Sequence, residues 1–348
     1  MSSSPAAGPG GGGTSLLGNA VLRREDATLL RGQGGYAGNV NFSGMLYAHF
    51  VRSTVAHGEL VSVEVKDARS MPGVVAVHTA GDLGLADRAP AMKIYPEVMA
   101  RPFLARDRIR FVGEPIAVVL AEDPYLAVDA AEAVWVDIDP LPAVVDLADA
   151  LTGEAVLFDD LGHNLCWERP AKETIAFSVC EVVVDEEVIN SRVAAVSIEG
   201  RVATATWENT RLTCWASSQG AHSHRADVAK ALGVEPHDVR VVVTDVGGGF
   251  GAKGMASEEE IVVAQLARIH GRPVRWAETR TENLTGYVHG RAQNQTVTMG
   301  GTRDGRITHY RLGVVQDSGA YPKWGAYLPE FTRWMASGVY DIPNVEFS

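Results

Sequence analysis

The chain has 348 residues, enough for two domains around a core of ordinary size. Its 46% hydrophobic content reads as globular, and a net charge of −12 with no lysine/arginine block argues against a nucleic-acid partner, whose phosphates need a basic surface. No apolar stretch approaches the ~18 residues of a membrane span, and Cys166, Cys180 and Cys214 form no C-x-x-C pair, so they are expected to be small buried hydrophobes in a reducing, cytoplasmic compartment.

Residues 1–18, "MSSSPAAGPGGGGTSLLG", have the composition of a flexible tail. They lack the basic and apolar regions of a secretory signal, and Arg23-Arg24 is followed by Glu25-Asp26 rather than by an apolar run. Residues 19–145 read as one mixed unit. "LVSVEVKDARSMPGVVAVHTAGDL" predicts strand, short helix, Pro-Gly turn and strand, and "VGEPIAVVLAE" a buried strand. Asp123 suits the N-cap and Pro124 the first position of an alanine-rich helix, which gives way to a strand at Val134–Ile138. Residues 146–173 are irregular and expected as a linker. A second unit, 174–348, predicts strands at Ile175–Val184, Arg201–Trp207 and Leu212–Ser217. A helix closed by Gly233, the strand "DVRVVVTDV", a helix closed by Gly271 and the strand "PVRWAET" follow. Asp304-Gly305 marks the turn of a long hairpin.

Inside this β-α-β-α-β run lies "DVGGGFGAKG", Asp245–Gly254, with five glycines. Gly249, Gly251 and Gly254 match the G-x-G-x-x-G of a dinucleotide site, with Glu278 placed for a ribose hydroxyl. Against this, Ser257 and Glu260 form a capping box and start the helix after the loop, with Glu258 and Glu259 in a first turn that would repel a pyrophosphate. A P-loop fails because Gly254, not Ser or Thr, follows Lys253. A close-packed turn would explain one or two of the glycines. A free-standing loop presenting backbone N–H groups to a ligand explains all five.

The loop has company. "RREDATLLRGQGGYAGNVNFSGMLYAHFVRSTVAHGEL", "MPGVVAVHTAGDL", "FVGEPIAVVLAED", "LPAVVD", "CWASSQGAH", "GRPVRWAETRTENL", "HGR" and "DSGAYP" occur in that order. Together with GGGFG-x-K, this series resembles the molybdenum hydroxylase large subunits of the xanthine dehydrogenase, aldehyde oxidase and carbon monoxide dehydrogenase type, from about Leu17 to the last residue.

The resemblance implies an α+β chain: an α/β hammerhead domain followed by the first part of a mixed α/β molybdenum-cofactor-binding domain. The implied cofactor is a molybdopterin, with or without an attached cytosine nucleotide. Oxygen from water enters a C–H bond, and electrons leave through 2Fe-2S and FAD groups on partner subunits. Carried over by position, Gln219 matches the glutamine that hydrogen-bonds an oxo ligand, and Gly248, Gly249, Phe250 and Gly251 the loop approaching metal and pterin. No direct metal ligand and no catalytic residue are assigned. Taken alone, Gln219 reads as a polar strand end, Phe250 as a core aromatic, Arg291 as a buried structural arginine, and His222 and His224 as helix-surface or packing residues. Glu199 receives no role. Family large subunits are longer, and their general-base glutamate falls in a later segment. The expectation is therefore a subunit split over two polypeptides, or a fragment, inactive alone and exposing an apolar face to a C-terminal partner. Carbon monoxide, aldehydes and N-heterocycles remain open as substrates.

Overall fold

The computed structural model describes residues 17, 18 and 20–348; residues 1–16 of the expected tail lie outside it. Two contact units are present, residues up to Gly35 and Tyr36–Ser348. In the first, one helical turn, α1 (Asp26–Leu29), carries an Arg23–Asp26 pair at 3.5 Å.

The second unit opens with β1 (Leu46–Arg52), β2 (Gly58–Glu64), α2 (Lys66–Ser70) and β3 (Val74–His78). After the short β4 (Arg108–Ile109), β5 (Pro115–Ala121) is buried at all seven positions, as its unbroken apolar run requires. Asp123 caps α3 (Pro124–Glu132), its carboxylate accepting from Tyr125 N at 2.8 Å, and β6 (Trp135–Pro140) follows. Within 146–173, α4 (Leu147–Thr152) is the regular element, and Phe158 is buried beside Met99 and Tyr321.

The next strand departs from the sequence reading. β7 runs Val182–Asn190, not 175–184. Residues before it turn instead, with Cys180 N donating to the Phe177 carbonyl at 3.0 Å. The strand continues through Asp185-Glu186-Glu187 because it is an exposed edge paired along its length with a later strand. Then come β8 (Val202–Glu208), β9 (Arg211–Ala216), α5 (Ala221–Leu232), β10 (Val239–Val242), α6 (Glu258–His270) and β11 (Val274–Ala277). Gly233 and Gly271 end their helices in the left-handed region, at φ 64° and 59°. α7 (Arg280–Gly286), the hairpin β12 (Gln293–Gly301) and β13 (Ile307–Gln316), α8 (Leu328–Trp334) and β14 (Asn344–Phe347) complete the chain.

The central sheet runs β10-β9-β8-β11-β1-β5-β3. It is mixed: β9 and β10 are parallel, β8 is antiparallel to β9 and β11, and β11 is parallel to β1 through Leu46↔Val274. Strands from the first and the second region therefore share one sheet. One face packs on α6, where Ile261, Val262, Val263 and Leu266 are fully buried with Leu46, Leu120 and Trp276. At roughly 1.5–3 kcal/mol for each large apolar side chain, this cluster dominates the stability of the unit. The other sheets run β4-β2-β6 and β14-β13-β12-β7. Among the described residues no helix is long and apolar enough to cross a membrane.

Candidate functional site

The parallel pair β9–β10 sends two loops out at the same strand ends, where open α/β sheets hold their ligands. The first loop carries Gln219 into α5. The second is the glycine loop, running into the cap of α6. Ser257 and Glu260 form the expected capping box, with Ser257 N donating to the Glu260 carboxylate at 2.6 Å, so the helix does start after the glycines.

The two loops are tied together. Gln219 Oε1 accepts from Gly251 N at 2.9 Å and Lys253 N at 3.1 Å, and Gln219 N donates to the Lys253 carbonyl at 2.9 Å. Gly249 passes so close that a Cβ there would stand 2.6 Å from Gln219 Cγ and Cδ. Gly248 and Gly251 take φ of 100° and 89°, a region that L side chains rarely enter. Between them Phe250 enters it too, at φ 54°, and its ring is 77% exposed. It is not a core aromatic: the turn thrusts it outward.

Underneath lies a clamp that sequence reasoning missed. Lys253, 3% exposed, donates from Nζ to Ser217 Oγ at 2.7 Å, the Glu199 carbonyl at 2.8 Å and Glu199 Oε2 at 3.1 Å. Glu199 Oε2 also accepts from Ser217 Oγ at 2.6 Å and Gly247 N at 2.8 Å. Glu199 and Lys253 are 54 residues apart, and no local spacing announces such a pair. The one available signal was a lone lysine among the glycines of the loop.

Unpaired donors gather on the two loops. The Gln219 side-chain nitrogen and the backbone N–H groups of Gly248, Gly249 and Phe250 have no acceptor among the described residues. The carbonyls of Gly248, Phe250 and Gly251 likewise have no donor among the described residues, and the grouped N–H donors suit an oxygen-rich ligand.

The acidic first turn of α6 does not face this cradle as a bare negative patch. Glu258 pairs with Arg88, Arg101 and Lys323 at 3.2, 3.0 and 3.1 Å, and Glu259 with Arg52 and Arg201 at 2.9 Å each. Burial opposes ionisation of Glu259, but Arg201 and Arg52 outweigh it and hold the carboxyl at about 2. Lys323 shows the converse, burial drawing its ammonium down to about 8 against the pull of Glu258. A cavity of about 980 Å³ opens beside Phe250, lined also by Tyr287, Arg291, Asp317, Lys323 and Trp324.

Other sequence expectations separate here. Glu278 cannot hold a ribose: its side chain is fully buried, paired with Arg201, and accepts from Arg201 N and Asn283 Nδ2 at 2.8 Å each. The dinucleotide reading built on Gly249, Gly251, Gly254 and Glu278 is therefore withdrawn. Arg291 is exposed, at φ 68°, and not a buried structural arginine. His224 is buried in the α5 packing face and His222 is exposed. Among the described residues no group of three His, Cys, Asp or Glu could hold a metal ion.

A first region sharing its central sheet with a second is the fold of the large subunits of molybdenum-containing oxidoreductases. Residues 31–142 match the aldehyde oxidase and xanthine dehydrogenase a/b hammerhead domain, and 158–348 match the molybdopterin cofactor-binding domain. The chain belongs to the molybdenum hydroxylase large-subunit family. It is 34% identical over 339 residues to the 6-hydroxypseudooxynicotine dehydrogenase complex subunit gamma of Paenarthrobacter nicotinovorans, which accounts for 94% of this chain and 43% of that one. To the carbon monoxide dehydrogenase large chain of Hydrogenophaga pseudoflava it is 32% identical, over 93% of this chain and 43% of that one. The solved quinoline 2-oxidoreductase of Pseudomonas putida 86 superposes with a TM-score of 0.90 at 36% identity, covering 95% of this chain and 43% of that one. The chain spans less than half the length of these relatives.

Proposed function

We propose that this chain supplies the hammerhead unit (19–145), a connection (146–173) and the first part of the molybdopterin-binding domain (174–348) to a molybdenum hydroxylase that works as a multi-subunit complex. The residues fit the group: Gln219, Gly248, Gly249, Phe250 and Gly251 would hold a molybdopterin, with or without its cytosine nucleotide. When bound, that group supplies oxidation of a small substrate with oxygen from water.

The observation that carries this reading is the group of unpaired donors where the two loops meet. Gln219 Oε1 is committed to Gly251 N and Lys253 N, so its amide turns N–H donors outward. An amide donates to an oxo-type oxygen without competing as a metal ligand. The backbone N–H groups of Gly248, Gly249 and Phe250 serve oxygen-rich parts of the pterin group. No catalytic acid or base is assigned to this chain. The remaining part of the large subunit, with iron–sulfur and flavin subunits, would complete the complex, and the substrate class stays open among carbon monoxide, aldehydes and N-heterocycles.

The test is metal analysis. The chain is purified with whatever chains accompany it, and molybdenum is counted by mass spectrometry. About one equivalent per chain is the expected result. A stable complex devoid of molybdenum, from cells that load other molybdenum enzymes, would overturn the reading and leave a non-catalytic binding protein.

A further inference from the structure

Away from the glycine loop, the chain pairs a nucleophile with a base. Cys180 Sγ lies 3.2 Å from His309 Nδ1, a nitrogen that Thr308 Oγ1 also reaches at 2.9 Å. Phe177 packs against the imidazole with centroids 5.7 Å apart. The sulfur is seated in a notch in β12: a Cβ on Gly300 would stand 2.5 Å from it, and the strand register shifts at Gly300/Gly301. A glycine inside a strand marks such a close approach. Cys180 is half-buried, and its dyad is absent from the other two thiols. Burial pushes Cys166 up, with Ser318 as its polar neighbour, and pushes the buried Cys214 far up. A cysteine nucleophile with an imidazole in hydrogen-bond reach is the arrangement that attacks sulfur and carbon electrophiles.

We propose that Cys180 is a modification site for small aliphatic disulfides, with His309 as its base. Nδ1 takes the thiol proton as Sγ attacks one sulfur of RS–SR. The Cys180–SR bond forms, the RS–SR bond breaks, and the departing thiolate leaves as RSH with the proton returned by the imidazolium. Cys180 is oxidised to the mixed disulfide and one half of the reagent is reduced to thiol. The site is independent of the molybdenum reading.

Cystamine is the probe, applied to the full chain with its co-purifying chains and followed by intact mass and peptide mapping. The first adduct is expected on Cys180, without denaturant, and Cys180→Ser removes that fast phase. His309→Ala slows it on the order of tenfold or more, and free imidazole in the buffer restores the rate, which a merely structural histidine would not permit. Should His309→Ala fail to fold, Gly300→Ala tests the same point with the histidine in place: it displaces the sulfur and slows the fast phase. First labelling at Cys166 or Cys214, labelling of Cys180 only in denaturant, or an unchanged rate in either variant overturns the proposal.

Discussion

Gln219 has two ends with different duties. Its oxygen holds the loop; its nitrogen is free to donate. Gln219→Glu keeps the acceptor and removes the donors. We expect molybdenum retention or turnover of the complex to fall by roughly 10²–10³, the loss typical of one preorganised donor. The melting temperature should barely move, because the side chain is exposed and surface changes fall within about 0.5 kcal/mol. Lys253→Met acts in the opposite way. It strands the Glu199 carboxylate, whose Oε1 already lacks a partner. The expected destabilisation is about 3–5 kcal/mol, read by denaturant titration, before any question of cofactor arises. Gly249→Ala drives a methyl into Gln219 and costs about 1–3 kcal/mol from overpacking. At this scale the sequence was legible where residues are neighbours in a motif. Gln219 stands just before a helix and the glycines form one run, and the structure brings the two together. Glu199 and Lys253 were illegible because their meaning lies in a buried contact between distant segments.

Among elements, α6 decides most. Its capping box could be read directly from Ser257 and Glu260, because capping is local chemistry. What could not be read is that Glu258 and Glu259 point into a cage of four arginines and Lys323 supplied by other elements. Burial raises the Glu259 carboxyl while Arg201 and Arg52 lower it further, to about 2, against an ordinary 4.5. A folded value below the unfolded one means that the unfolded state binds more protons in between. The stabilisation is thus complete above about pH 4.5 and is lost as pH falls toward 2. Glu259→Gln should lower the midpoint of urea unfolding at pH 7 and make stability less steep between pH 4.5 and 2. An unchanged acid limb in this variant would show that Glu259 contributes nothing to acid unfolding. The misjudged start of β7 belongs at this scale too. Ile175–Val184 has strand composition throughout, yet its first half turns to seat Phe177 and Cys180 against Gly300. Composition reports that a segment favours pairing, and only a partner strand decides where pairing begins.

For Tyr36–Ser348 as a whole, the sequence reads as two consecutive regions, and the sheet does not divide there. β11 lies between β8 and β1, so the strand nearest the middle of the sheet takes one neighbour from each region. The cluster around Trp276 and Ile261 likewise includes Leu46, Phe50 and Leu120. Charge follows the same geometry, since Arg52, Arg88 and Arg101 come from the first region while Glu258 and Glu259 begin a helix of the second. Removing residues 36–145 would therefore expose the edge of β11, uncover one side of the main core and leave two buried carboxylates without three of their cations. Glu258 keeps Lys323 and Glu259 keeps Arg201, so the charge cost stays below the about 3–5 kcal/mol of a fully orphaned buried charge, and the uncovered core carries the larger loss. Residues 146–348 expressed alone should not fold. Co-expression with 36–145 as a separate polypeptide should restore a soluble pair with one cooperative unfolding transition. Near-UV circular dichroism and size-exclusion chromatography read both outcomes. A monomeric 146–348 with a structured near-UV spectrum would mean that α6 and its half of the sheet are self-sufficient, and that the arginines of the first region dock onto a site already formed.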